Sequence, residues 1–400
     1  MNIDDQLRNK SDTYTIIHKL GFGPSSTVWL AKLESETTSK VSFHALKVLR
    51  GNAGTPDWYS PELKALERLE QTGQESHAGL IHVQDRFTID SVNGKHYCVV
   101  LPFLGPNLSG KRVLDAMSCE TRRNVCEQLA HAVNYIHAFD ICHSGEFEVP
   151  VPVRTTRVRS LTFLTDLTPI NVLFKIPGIE NISEASLRRM LTPVVSHTVT
   201  RVDGKPLSNM ERIPRCVIET AGFQDLDFHS LKKVAIINFG RSFNSTIPPP
   251  TFGRNPTSMV FPELLFRYPA SKKSDIWQLA CLLFLVQAQA LPFQISTGYD
   301  HLLAEMTAYL GPIPYTWARK YQWNKYKIVL PSGTTCDWDL EECFNIGKPT
   351  RSLETRMVGV EGRRAQKMAA LLHKMLAWEP ENRPESGWVY QDLLQLRLSG

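Results

Sequence analysis

The spacing of apolar residues divides this chain into two kinds of segment. From residue 14 to residue 50, apolar and polar positions alternate and β-branched side chains are frequent, as in half-buried strands. Tyr14-Thr15-Ile16-Ile17-His18-Lys19-Leu20 leads into Gly21-Phe22-Gly23-Pro24-Ser25-Ser26-Thr27-Val28, and alternation resumes at Ser42-Phe43-His44-Ala45-Leu46-Lys47-Val48-Leu49. The period then lengthens. Leu63, Leu66 and Leu69 line one side of a helix that Ser60 can cap and Pro61 can open. His96 to Leu101 reads as one more buried strand. Helical spacing returns at Thr121–Ala138, where Val125, Leu129, Val133 and Ile136 fall on one face. The longest apolar run, Leu279–Phe293, is too short and too interrupted by Gln to span a bilayer, so it predicts a buried helix. A β-rich first part followed by a helical second part makes the predicted class α+β.

Composition changes this picture little. Four hundred residues suffice for one large or two medium domains. A net charge of +5 is mild, and no Lys/Arg block argues for direct nucleic-acid binding. Met1–Lys10 is polar and lacks the apolar core of a signal peptide. The eight Cys include no Cys-x-x-Cys pair, so free thiols in a reducing compartment, cytoplasm or nucleus, are the simpler expectation. The Asn-x-Ser/Thr sequences at Asn107, Asn181 and Asn244 are read as chance without a secretory signal.

Candidate chemistry gathers around Leu164-Thr165-Asp166-Leu167-Thr168-Pro169-Ile170-Asn171-Val172-Leu173-Phe174. Asp, Leu, three residues and Asn, running into an apolar strand, is the core of a protein-kinase catalytic loop. The Asp receives a substrate hydroxyl proton, and the Asn reaches a metal on the ATP phosphates. Other parts follow in order. Gly21 and Gly23 let backbone approach phosphates, with Val28 to pack on a flat ring; Phe22 and Ser26 lie in the same turn, and Ser26 stands where a third glycine is usual. The same eight residues also suit an ordinary hairpin turn. Lys47 sits where a phosphate-pairing lysine would, or is an edge-strand lysine in water. Glu62 is its expected partner, with Glu67 and Glu70 on the solvated side. Gly105-Pro106-Asn107-Leu108-Ser109-Gly110-Lys111-Arg112 nearly spells a P-loop, but Arg112 replaces the hydroxyl that would hold magnesium.

Further along, Val234-Ala235-Ile236-Ile237-Asn238-Phe239-Gly240 matches the kinase metal motif, with Asn238 in place of Asp. An amide oxygen brings no charge. By analogy with removed oxyanion donors, such a loss lowers a rate by roughly 10²–10³. Phe261-Pro262-Glu263 stands where Ala-Pro-Glu closes an activation segment, and Arg383 stands where its partner would be, which predicts a Glu263–Arg383 ion pair. Asp275, near the start of an apolar helix, can cap it or hold the catalytic-loop backbone.

Two insertions interrupt the series. Residues 145–165 separate His143-Ser144 from Asp166; without them the chain reads His143-Ser144-Asp166-Leu167-Thr168-Pro169-Ile170-Asn171. A long insert in so tight a loop is unusual. Gly145-Glu146-Phe147 can be encoded by a splice-donor sequence and Thr165-Asp166 by an acceptor, and joining the outer letters restores an Asp codon. Residues 145–165 are therefore either a retained intron or a true insertion. Residues 178–233 form a second excursion, with a short helix at Ser183–Leu191 and a turn at Asp203–Pro206.

Residues 14–396 resemble a eukaryotic-type protein kinase, and within these the fungal form of the serine/arginine-rich-protein kinase (SRPK-like) group. The narrower likeness rests on Thr168-Pro169, on the long segment between Asn171 and Asn238, and on Gly105-Pro106-Asn107-Leu108. The resemblance implies a two-lobed α+β fold: a tail at 1–13, an N-lobe with hinge at 14–104 and a C-lobe at 105–396. It implies ATP and Mg2+ as cofactors, and Arg/Ser-rich splicing factors as protein partners whose Ser is phosphorylated. By the same resemblance Asp166 is the base, Lys47 and Glu62 hold phosphates, and Asn171 and Asn238 face the metal. Gly21, Phe22, Gly23, Ser26 and Val28 cover the nucleotide, with Ala45, Leu101, Phe103 and Leu104 around the adenine at the hinge. The acidic run Asp337–Glu342 is a docking site for basic substrate or a solvated loop. Two functions follow: an active Ser/Thr kinase, or a pseudokinase that keeps the fold as a binding module. Lys47, Glu62, Asp166 and Asn171 favour the first; Asn238, Ser26, the 145–165 insert and, least of these, Thr168 favour the second.

Overall fold

The computed structural model describes residues 1–9, 12–23, 25–35, 41–50, 61–71, 79–143, 167–205, 213–214, 216–247, 258–294, 299–318, 328–329, 335–336, 351–357 and 362–398. Asp166, the 145–165 insert, Ser60 and the acidic run 337–342 lie outside the described residues.

The alternating segments pair into one antiparallel sheet of β1 (Gln6–Asn9), β2 (Asp12–Phe22), β3 (Ser26–Ser35), β4 (Val41–Leu49), β5 (Asp85–Ser91) and β6 (Gly94–Pro102), in the order β1-β2-β3-β4-β6-β5. Directly paired residues share a face, and residues two apart along a strand do too. The row Trp29–Leu46–Val100 therefore faces one way. Tyr14, Ile16, Ala31, Phe87 and Cys98 pack beside it as a core, with Tyr14 stacked on Phe87 at 5.3 Å. That face buries nearly all its apolar side chains, which fixes the register, because a slip of one residue would turn each of them to the opposite side.

Elsewhere the chain is helical: α1 (Pro61–Glu70), α2 (Lys111–Ala116), α3 (Cys119–Ala138), α4 (Glu184–Met190), α5 (Pro262–Leu265), α6 (Lys272–Ala288), α7 (Tyr299–Leu310), α8 (Tyr315–Ala318), α9 (Gly362–Met375) and α10 (Ser386–Leu398). The apolar face expected of α3 is buried, and Ser118 caps the helix by accepting from the Thr121 amide at 3.1 Å. Helix α6 is buried along almost its whole length and ends at Ala288, five residues before the predicted end, where Gln289 turns left-handed (φ 55). Short strands β7 (Ile141–Cys142) and β8 (Val172–Lys175) flank the catalytic-loop sequence.

Contacts divide the chain into two compact units. One holds 1–59, 80–107 and 173–235; the other holds 60–79, 108–172 and 236–400. In the first unit the 178–233 excursion packs alongside the sheet. Helix α4, capped by Ser183, is followed by the hairpin of β9 (Ser196–Thr198) and β10 (Cys216–Ile218). Thr220 bridges to Lys19 of β2, the Ala221 amide donates to the Lys19 carbonyl at 2.7 Å, and Ile218 joins the sheet's core.

Candidate functional site

Within the first unit, the candidate nucleotide residues share the sheet face opposite that core. Lys47 pairs with Val28 on one side and Val99 on the other; two residues back, Ala45 pairs with Leu30 and Leu101. Val28, Ala45, Lys47 and Leu101 thus stand in adjacent rows on one face. Lys47 is 9% exposed. Gly21 pairs with Val28 and Phe22 with Thr27, and the Gly23 amide donates to the Ser26 carbonyl at 2.8 Å, closing the turn. Phe22 is exposed, with the Lys19 ammonium 4.2 Å from its ring centre.

Phe103 and Leu104 are buried beyond β6. The next residue shows why glycine stands there. The Gly105 amide donates to the Phe174 carbonyl at 2.7 Å, and a β-carbon at Gly105 would lie 2.9 Å from Ile176 Cγ1 and 3.2 Å from that carbonyl. In the other unit the Leu108 amide donates to the carbonyls of Pro169 and Val172. Two amides of the P-loop-like sequence are thus spent on carbonyls rather than presented to a phosphate, which argues against the P-loop reading.

The second unit carries Glu62, His143, Asn171, Asn238 and the framework beneath them. Glu62 lies in the first turn of α1 and is buried. The Asn171 amide closes a 3-10 turn onto the Thr168 carbonyl at 3.0 Å, and its own carbonyl accepts from the Ile237 amide at 2.9 Å. That bond places Asn238 beside Asn171. Asn238 is left-handed (φ 67), a conformation Asn tolerates better than most side chains. Its Nδ2 donates to Asn171 Oδ1 at 3.3 Å, and a β-carbon at Gly240 would lie 3.5 Å from its Oδ1.

Beneath this pair, Asp275 Oδ2 accepts from the His143 amide at 2.9 Å and lies 3.0 Å from His137 Nε2. Of the two roles expected for Asp275, holding the loop backbone is the one seen; Ser271 and Ser274 form the cap of α6 as a capping box. The His143 ring is wholly buried, directs Nε2 at the Ile237 carbonyl at 3.1 Å and meets Phe239 edge-on. Burial holds its pKa below the ordinary histidine value, against the opposing pull of Asp275. Sequence reasoning placed His143 but missed His137, whose one-turn lead on the loop gives no signal apart from α3's own period.

The expected Glu263–Arg383 pair is present and two-pronged, at 2.8 and 2.7 Å, with both side chains fully buried. Ser274 donates to Glu263; Arg383 also donates to the carbonyls of Ala377, Lys273 and Trp378 and lies over the Trp277 ring.

Magnesium prefers an octahedron of oxygens that includes one or two carboxylates. Asn171 and Asn238 supply none, and one of the two offers its NH2 to the other. Among the described residues no group of three or more His, Cys, Asp or Glu could hold a metal ion. The amide pair, as placed, does not fit a tightly held Mg2+. No described helix is long and apolar enough to cross a membrane.

No protein-family model matches the chain. A serine/threonine protein kinase of Aspergillus fumigatus is 24% identical over 407 residues, covering 98% of this chain and 86% of that protein. The serine/threonine-protein kinase SRPK of Physarum polycephalum is 24% identical over 395 residues, covering 92% and 83%. Kinase spk-1 of Caenorhabditis briggsae is 29% identical over 143 residues, which are 34% of this chain and 12% of that protein. Over nearly its whole length, in the Aspergillus and Physarum comparisons, this α+β chain with its N-terminal antiparallel sheet is similar to serine/threonine protein kinases and resembles the SRPK group.

Proposed function

We propose that the chain is an SRPK-like protein kinase that binds ATP and phosphorylates Ser in Arg/Ser-rich proteins such as splicing factors, in the cytoplasm or the nucleus. The two-lobed arrangement with ATP in the cleft belongs to the same proposal. One observation carries it: Val28, Ala45, Lys47 and Leu101 stand on one face of the sheet, in a chain whose full-length relatives are named kinases. In this reading Val28, Ala45 and Leu101 bound the adenine, and the Gly21–Val28 turn covers the phosphates. Lys47, oriented by Glu62, holds them in line. Asp166 receives the proton of the attacking Ser hydroxyl, and positioning supplies most of the rate. As metal ligands, Asn171 and Asn238 take no part in that step.

The same amide pair favours a second reading, a nucleotide-binding module with impaired transfer. The discriminating experiment is radiolabel transfer from ATP to an Arg-Ser repeat peptide, run beside a thermal-shift titration with ATP. Transfer that disappears in Lys47→Ala supports the kinase. An ATP-dependent thermal shift without transfer supports the module. Neither shift nor transfer refutes both.

A further inference from the structure

The contact between Asn171 and Asn238 has a consequence for how the nucleotide is held, provided that the nucleotide-binding reading above is right. Two side chains share a cation by turning oxygens toward it. Here the Asn238 NH2 donates to Asn171 Oδ1 at 3.3 Å. The Asn238 oxygen sits instead on the side of Gly240, 3.5 Å from where that residue's β-carbon would be. The backbone fixes this arrangement from both ends. The Ile237 amide is tied to the Asn171 carbonyl at 2.9 Å, and Asn238 is left-handed at φ 67. Asn171 is buried, so a rotated amide would have to find new partners without help from bulk water.

We infer that the Asn171–Asn238 amide pair stands in the place of a metal-binding pair, so that this chain binds ATP without requiring a divalent cation. The two side chains are neutral, and one donates to the other. A cation entering between the two residues would have to break that bond and would gain no negative charge from either residue in return. ATP would be retained by donors and by apolar contact with the base. An Asn238→Asp change supplies the missing charge and, in place of the NH2, a second oxygen facing Asn171. Asp tolerates the left-handed backbone as Asn does, so the fold can survive the exchange.

The test is calorimetric titration of the full chain with ATP, once in excess EDTA and once in millimolar Mg2+. The expected result is a dissociation constant in EDTA within threefold of that in Mg2+. For Asn238→Asp, tighter binding by tenfold or more in Mg2+ than in EDTA is expected. Electron paramagnetic resonance of Mn2+ gives a readout independent of affinity. With ATP present, the Asn238→Asp protein should immobilise Mn2+, and the wild-type chain should add nothing to the Mn2+–ATP signal. Wild-type binding that weakens tenfold or more in EDTA overturns the inference and leaves the nucleotide reading intact. Absence of ATP binding under both conditions overturns the nucleotide reading itself, and the inference with it.

Discussion

Two polar pairs within the same unit, one fully buried and one part-buried, are built on opposite terms. Glu263 and Arg383 form an ion pair in a site closed to water, and every donor of the guanidinium is directed at an oxygen. Asn171 and Asn238, at the positions that resemblance gives to the metal, carry no charge and bond to each other. A buried ion pair is strongly destabilised by the loss of one partner, because the other charge is stranded. A neutral amide pair has no such penalty. The two pairs hold different parts together: the ion pair locks helix α5 to the segment before α10, whereas the amide pair joins the two residues without a charge from either.

Breaking the ion pair should therefore have the largest effect. Arg383→Ala leaves the Glu263 carboxylate buried with only Ser274 to donate to it among the bonds described, at a cost of about 3–5 kcal/mol. Urea unfolding measures this directly. A loss below about 1 kcal/mol would place the pair on a par with surface salt bridges and remove the contrast. Next comes Asp275→Ala, which strips an acceptor from the His143 amide and from His137. Unmet buried donors cost about 1–3 kcal/mol each, so at least about 2 kcal/mol is expected for the two. Asp275→Asn keeps one oxygen and should cost less than the alanine.

In the other unit the contrast is steric. Gly105→Ala puts a methyl 2.9 Å from Ile176 Cγ1 and 3.2 Å from a backbone carbonyl, and the carbonyl cannot yield as a flexible side chain can. Overpacking of this kind costs about 1–3 kcal/mol. Thermal unfolding of Gly105→Ala beside Gly94→Ala separates sterics from backbone strain. Gly94 has open space around it but a positive φ of 110, so its alanine variant is strained by conformation alone.

Much of this was legible in the chain, for definable reasons. Strands β2, β3, β4 and β6 and helix α3 were readable because burial of one face imposes a period, and Val125, Leu129, Val133 and Ile136 keep it without a break; β1 and β5, both largely exposed, were not. The Glu263–Arg383 pair was readable because both residues lie in motifs with fixed neighbours. The end of α6 was not, since Ala288 and Phe293 are equally apolar and the stop comes from a left-handed Gln289. Nor was the position of the 178–233 excursion beside β2. It rests on main-chain bonds such as Ala221 to Lys19, which leave no trace in side-chain pattern. His137 escaped for a related reason: a histidine on a buried helix face looks like packing until Asp275 is found beside it.

The finest test of the contrast lies in pH, through His143 below the amide pair. Its ring is wholly buried, and burial outweighs the pull of Asp275, the Ile237 carbonyl and Glu62, so its pKa lies below the ordinary 6.5. An unfolded chain takes up this proton near pH 6.5, whereas the folded chain resists it. The neutral ring's contribution is therefore complete above that pH and is lost as pH falls from 6.5 toward the depressed value. His44 and His373 are depressed by burial in the same direction and add to the same slope. The urea midpoint should fall between pH 7.5 and 5.5. His143→Gln, whose amide nitrogen can replace Nε2 as donor to Ile237 but cannot be protonated, should fall less over that interval. Equal slopes in the two proteins would mean that the ring accepts its proton in place, and that the floor of the amide pair holds charge as readily as the Glu263–Arg383 site does.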